Sequence, residues 1–186
     1  MNKQCPRRLV FQPPRGILCD GLVRYPTISL TDRHFSESAV PALTRDQIEA
    51  LIPHRDPFLW IDAVDEIEES RIVARKWLSP ELPVFQGHYP GQPVFPGVLL
   101  CEIAMQAGAT LIARRGDGSV PAGKVPVATR LNNVKFRQIV RPGATVVALV
   151  ELTDRAGQAF FLAGKLQVDG KTVAQVEFAC AIADPT

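Results

Sequence analysis

From Thr44 onwards the apolar and polar positions fall into runs of recognisable period. Thr44-x-x-Gln47 has capping-box spacing, and Leu43, Ile48, Leu51 and Ile52 form an apolar stripe beside it, predicting a short helix that ends at Pro53. Residues 57–67 and 71–78 are rich in β-branched and aromatic side chains and flank the polar Glu68-Glu69-Ser70, which predicts a hairpin. Prolines at 80, 83, 90, 93 and 96 make the next stretch a long shaped loop rather than regular helix or central strand. Loops of that length in compact domains tend to be functional. Gly97 to Arg115 is apolar nearly all round, with Pro96 before it and Gly116 after it, and reads as a buried central helix of roughly five turns. Four strand-like runs follow, at about 126–140, 144–154, 159–168 and 172–183, joined by Arg141-Pro142-Gly143, Asp154 to Gly157, and Asp169-Gly170. One buried helix against an antiparallel sheet is an α+β architecture.

Residues 1–43 carry five prolines and no helical or strand period, so they read as an irregular extension, disordered or draped on the domain, or as an early translation start. Residues 44–186 then form a single domain, which suits a chain of 186 residues and 20.4 kDa. With 46% hydrophobic and 22% charged residues, wholesale disorder, collagen and coiled coil are excluded. The net charge of +2 gives no case for a nucleic-acid or membrane surface, and the surplus sits in the extension, where six basic side chains face three acidic ones. Cys5, Cys19, Cys101 and Cys180 lie far apart without metal-ligand spacing, so a reduced, cytoplasmic protein with no metal is expected. Pro13-Pro14-Arg15-Gly16 interrupts any signal-like run, and no later run approaches the ~20 apolar residues of a bilayer span, so neither secretion nor membrane insertion is expected.

Two residues invite chemistry. Glu102 is the one charged side chain between Gly97 and Ala113, and a carboxylate in apolar surroundings costs several kcal/mol unless it is paired or protonated. Gln106 and Ala109 share its helix face. A carboxyl satisfied by nearby backbone groups and a functional acid are equally weighted readings. His88 sits in Phe85-Gln-Gly-His-Tyr-Pro-Gly91, where proline and glycine constrain the loop, and imidazole suits proton transfer near neutral pH. A lone loop histidine is more often structural. The helix start at Pro96-Gly97 offers free N–H groups and a positive dipole end to a carbonyl oxygen.

The segment Phe85-Gln-Gly-His-Tyr-Pro-Gly-x-Pro-x-x-Pro-Gly-Val-Leu-x-x-Glu-x-x-x-Gln106 resembles the active-site segment of the (3R)-hydroxyacyl-acyl carrier protein dehydratases, the FabZ type of hot-dog-fold enzyme. Leu51-Ile-Pro-His-Arg-x-Pro-Phe-Leu59, Asn133-Val-Lys-Phe-Arg137 with Pro142-Gly143, and Cys180-Ala-Ile182 resemble the family in the same order, so the likeness covers roughly residues 44–184.

The resemblance implies a sheet wrapped around the long helix, assembled as homodimers that often form a trimer of dimers, with no cofactor. It implies His88 as base, Glu102 of the opposite protomer as acid and the Gly97 N–H as the group polarising the thioester carbonyl. It implies acyl carrier protein as the partner delivering a 3-hydroxyacyl chain, and an apolar tunnel to which Phe95, Leu99, Ile103 and Gln106 are candidates. Lys76, Lys135, Arg137 and Arg141 are candidates for docking an acidic carrier. Related dehydratase-isomerases carry Asp where this chain has Glu102, which favours dehydration without isomerisation. Asp56 departs from the aromatic residue many members have, and takes no role. His54 reads as structural, Trp60 and Trp77 as core or interface, and Cys101 as a small buried hydrophobe. A hot-dog thioesterase and a non-catalytic acyl-binding subunit are the competing readings.

Overall fold

A computed structural model of the chain describes residues 40–184. Residues 1–39, most of the expected extension, lie outside the described residues. The elements are α1 (Arg45–Leu51), β1 (Ala63–Ile67), β2 (Arg71–Trp77), α2 (Val84–Gly87), α3 (Gly97–Arg114), β3 (Val125–Phe136), β4 (Thr145–Ala156), β5 (Ala159–Val168) and β6 (Lys171–Ala183). The strands form one antiparallel sheet in the order β1-β2-β4-β5-β6-β3. It wraps α3, which packs against β2, β3, β4, β5 and β6. This is the α+β hot-dog arrangement expected from the sequence.

Local chemistry explains the boundaries. The Thr44 N–H donates to Gln47 Oε1 at 2.8 Å, the reciprocal half of the expected capping box. Leu43 pairs instead with β1, exchanging both backbone hydrogen bonds with Val64 at 3.0 and 3.1 Å, which ties the start of α1 to the sheet. Asp169 and Gly170 both have positive φ, +50° and +72°, as a two-residue hairpin turn requires. Two expectations are corrected. The first expected strand begins at Ala63, because residues 58–60 are drawn towards α3 by Gln106. The proline-rich loop holds one helical turn, α2, started by Pro83 and pinned by the buried Phe85.

The core is built on α3. Leu100, Ile103, Ala104, Ala107, Leu111 and Ile112 pack into a cluster with Val150, Leu162, Val176 and Phe178 from the strands. By length and apolarity alone α3 could cross a bilayer, contrary to the sequence expectation, but 61% of it is buried inside this fold. Helix and sheet meet closely at Gly108, where an added Cβ would lie 2.7 Å from the Phe178 ring and 3.0 Å from Leu162. Alanine is ordinarily the better helix former by about 1 kcal/mol. Here overpacking wins, and Gly108→Ala is expected to destabilise the fold by ~1–3 kcal/mol in urea denaturation. A variant as stable as wild type would refute this account of the helix-sheet approach.

Candidate active site

Two half-sites are built on different elements. His88 follows α2, where its N–H donates to Val84 O at 3.1 Å. Its Nδ1 lies 2.6 Å from Val94 O. A carbonyl oxygen can only accept, so Nδ1 carries the hydrogen, and in the neutral ring the lone pair is on Nε2. The Tyr89 ring stands edge-on at 4.8 Å, and Tyr89 itself has φ +59°. The loop is held from below by Phe85 and Phe95, whose ring centroids are 6.0 Å apart, and by the Phe95 N–H on Val140 O at 2.8 Å.

Glu102 lies in the second turn of α3, with its side chain 16% exposed. One turn on, Gln106 is 1% exposed and spends its whole amide: Nε2 donates to Glu102 Oε1 at 2.9 Å and to Phe58 O at 2.9 Å, and Oε1 accepts from the Trp60 N–H at 2.8 Å. Trp60 is buried and packs edge-on against Phe95, 5.4 Å between centroids, so the segment that Gln106 grips also abuts the loop carrying His88. His54 approaches from the loop after α1, placing Nε2 3.6 Å from Glu102 Oε1. Arg55 fixes that loop by donating to Ile52 O at 2.8 Å and Glu49 O at 2.8 Å.

Gly97 opens α3, in the first turn where N–H groups have no intrahelical carbonyl to bond. A Cβ there would lie 2.9 Å from the Phe136 ring, so the glycine lets the end of β3 close over the helix start.

Other expected residues are placed differently. Lys76 is 8% exposed and bonded to Asp62 Oδ1 at 2.6 Å, so it is an internal ion pair and no docking cation. Lys135, Arg137 and Arg141 are exposed, and Arg137 donates twice to Gln175 Oε1. Of the tunnel candidates, Phe95 and Ile103 are core side chains, Gln106 is the clamp just described, and Leu99 is half-buried. Asp56 forms an ion pair with Arg45 at 2.6 Å. Trp77 is 54% exposed, unlike Trp60, and Cys101 is buried, its thiol pushed up by desolvation. The sequence reading missed Val94, whose part is played by a backbone carbonyl with no residue signature, and the grip of Gln106 on residues 58–60, a contact across 46 and 48 positions.

The FabA-like domain family model matches residues 52–177. The chain is 42% identical over 136 residues to the 3-hydroxyacyl-(acyl-carrier-protein) dehydratase FabZ of Enterococcus faecalis, covering 73% of this chain and 94% of that one. It is 39% identical over 137 residues to the FabZ dehydratase of Clostridium perfringens, covering 74% and 96%. In fold it is similar to a thioesterase from Haemophilus influenzae, with TM-score 0.57, 15% identity and coverage of 76% and 92%. It is also similar to a chain of the dehydratase heterocomplex of Xenorhabdus doucetiae, with TM-score 0.51, 24% identity and coverage of 63% and 93%.

Gln106→Leu would keep the side-chain volume while orphaning the Trp60 N–H and the Phe58 carbonyl. The expected cost is ~2–4 kcal/mol of stability, from ~1–3 kcal/mol for each unpaired buried group, measured by chemical denaturation. A loss under ~0.5 kcal/mol would show that the amide is not the clamp described.

Proposed function

The chain belongs to the FabA-like family as a FabZ-type 3-hydroxyacyl-acyl carrier protein dehydratase, and from that premise we propose that His88 and Glu102 eliminate water from a carrier-bound 3-hydroxyacyl thioester. The enzyme is a lyase of fatty acid synthesis.

The observation carrying the residue assignment is the 2.6 Å contact between His88 Nδ1 and Val94 O. It leaves Nε2 as the base and keeps the ring in one orientation as charge forms on it. His88 takes the α-proton; the C–H pair becomes the Cα=Cβ bond; the Cβ–O bond breaks towards oxygen; and Glu102 supplies the proton that makes the leaving group water. His88 ends as imidazolium and Glu102 as carboxylate, and solvent returns the proton from one to the other. Substrate and product differ by water alone, so the step requires no redox cofactor. The Gly97 N–H, at the positive end of α3, binds the thioester oxygen as enolate character grows.

A homodimer completes the reading. Strand β3 ends the sheet and is exposed from Val127 to Phe136, with Val127, Leu131, Val134 and Phe136 between 37% and 53% exposed. A free twelve-residue edge of this apolarity invites strand pairing. Phe136 caps Gly97, so a second copy on this edge would arrive beside the helix start, and in this proposal it supplies the His88 loop that faces Glu102. Lys135, Arg137 and Arg141 border the same edge and suit an acidic carrier protein.

The test is a mass-spectrometric assay on 3-hydroxyacyl-carrier protein of several chain lengths. Wild type should lose one water, and His88→Ala and Glu102→Gln should each fall by roughly 10²-fold or more. Hydrolysis of the thioester would instead make the protein a thioesterase, and unimpaired variants would remove both residues from the chemistry. Separately, Leu131→Lys with Val134→Lys should convert a dimer to an inactive monomer in light scattering, because both side chains are exposed in the single chain. A dimer that survives the pair of lysines would place the interface elsewhere.

A further inference from the structure

We infer that His54 is a positioning residue for the dehydration: with Gln106 it saturates Oε1 of Glu102, so that the transferable proton resides on Oε2. This rests on the functional reading above and adds the oxygen from which the proton leaves.

The geometry is asymmetric. Gln106 Nε2 donates to Oε1 at 2.9 Å, and His54 Nε2 stands 3.6 Å from the same oxygen. The second distance is beyond a hydrogen bond in the free chain, and such contacts commonly tighten when substrate closes the site. In a protonated carboxyl one oxygen accepts and the other carries the hydrogen. Two N–H groups aimed at Oε1 can only donate to it, so Oε1 is the carbonyl-like oxygen and Oε2 faces the leaving hydroxyl.

His54 can play this part only as a neutral ring with hydrogen on Nε2. Its Nδ1 is buried and has no hydrogen-bond partner among the described residues, which costs less as a lone pair than as an N–H. Burial holds its pKa below the ordinary histidine value; Arg55 acts in the same direction and Glu102 opposes. The imidazole therefore stays neutral near pH 7. A cation would instead hold Glu102 in an ion pair and keep it from carrying a proton. The ring is kept in place by near-parallel stacking on Phe58, 22° between planes at 6.5 Å, and the Phe58 carbonyl is held by the same Gln106 amide. One amide thus sets the acid and the ring that shares its oxygen.

Two amide substitutions separate the two imidazole nitrogens. In His54→Gln the side-chain NH2 reaches the place of Nε2; in His54→Asn it reaches only that of Nδ1. With 3-hydroxyacyl-carrier protein as substrate, His54→Gln is expected to keep kcat within about threefold, and His54→Asn to lose roughly tenfold to a hundredfold in kcat with KM little changed. Both variants are to be compared at equal folded fraction, set from thermal melts. Equal loss, equal retention, or loss confined to His54→Gln would each overturn the inference. Glu102→Gln run alongside distinguishes the two failures: if it retains turnover, the functional reading itself falls; if it collapses while the His54 pair behaves alike, only the role of His54 falls.

Discussion

The amide of Gln106 is the interaction on which the rest of the site depends. A side chain 1% exposed cannot be left unpaired without a cost of several kcal/mol, and this one has three partners on two separate stretches of chain. It turns residues 58–60 away from the sheet and onto the helix, seats Trp60 against Phe95, and braces Glu102 from one turn away. Without it Glu102 would lose the hydrogen bond at Oε1, and the loop carrying His54 and Phe58, held otherwise by Arg55, would lose its tie to the helix. The helix in turn holds its depth through Gly108 and Gly164, where the added Cβ of any other residue meets Phe178, or Ala104 and Val176, at 2.7–3.2 Å. Packing on one side of α3 and hydrogen bonding on the other set a single position for the carboxyl.

The second constraint is the unpaired edge. Strand β3 crosses from the helix connection to the far side of the sheet to pair with β6, so its outer edge and both its faces remain exposed. Bulges between Ala128 and Arg130 and between Asn132 and Lys135 re-aim its side chains, and Asn133 adopts φ +48° with its amide on Glu177 at 2.6 Å. The strand is thus shaped by its own backbone before any partner arrives, and it leads through Phe136 directly to Gly97. His88 is held by Val94 and Glu102 by Gln106, on separate elements of the chain. In the proposed mechanism each copy offers a base and an acid, and the edge brings unlike halves together.

Much of this was legible in the residues because it is local. The period of β4, β5 and β6, the Asp169-Gly170 turn, the Pro96 and Gly116 boundaries of α3 and the capping pair at Thr44 all follow from neighbours within a few positions. Errors arose where distant contacts decide. The run 57–62 has strand composition, yet Gln106 claims the backbone of Phe58 and Trp60; Lys76 has the sequence of a surface cation, yet Asp62 holds it at 8% exposure. The burial of Phe95 and Ile103, placed in the motif as tunnel candidates, is likewise set by packing across the fold. The helical turn of α2 was hidden among prolines because a single turn leaves no period to detect.

In the proposed mechanism the two histidines take opposite tasks, and what each ring nitrogen faces is what sorts them. His88 has a carbonyl on Nδ1, which forces the hydrogen there and frees Nε2 to take a proton. His54 has no hydrogen-bond partner on Nδ1 among the described residues and a carboxyl oxygen near Nε2, and the inferred tautomer is the reverse, with Nε2 as the donor. Neither assignment depends on the ring itself, since either nitrogen of a neutral imidazole can carry the hydrogen and the partner decides which. Val94 O is a main-chain atom and survives any substitution that preserves the loop, whereas the contact of His54 is made to the acid it serves. A base needs only to be aimed. An acid must also have its proton on the right oxygen, and that takes a second donor on the other one.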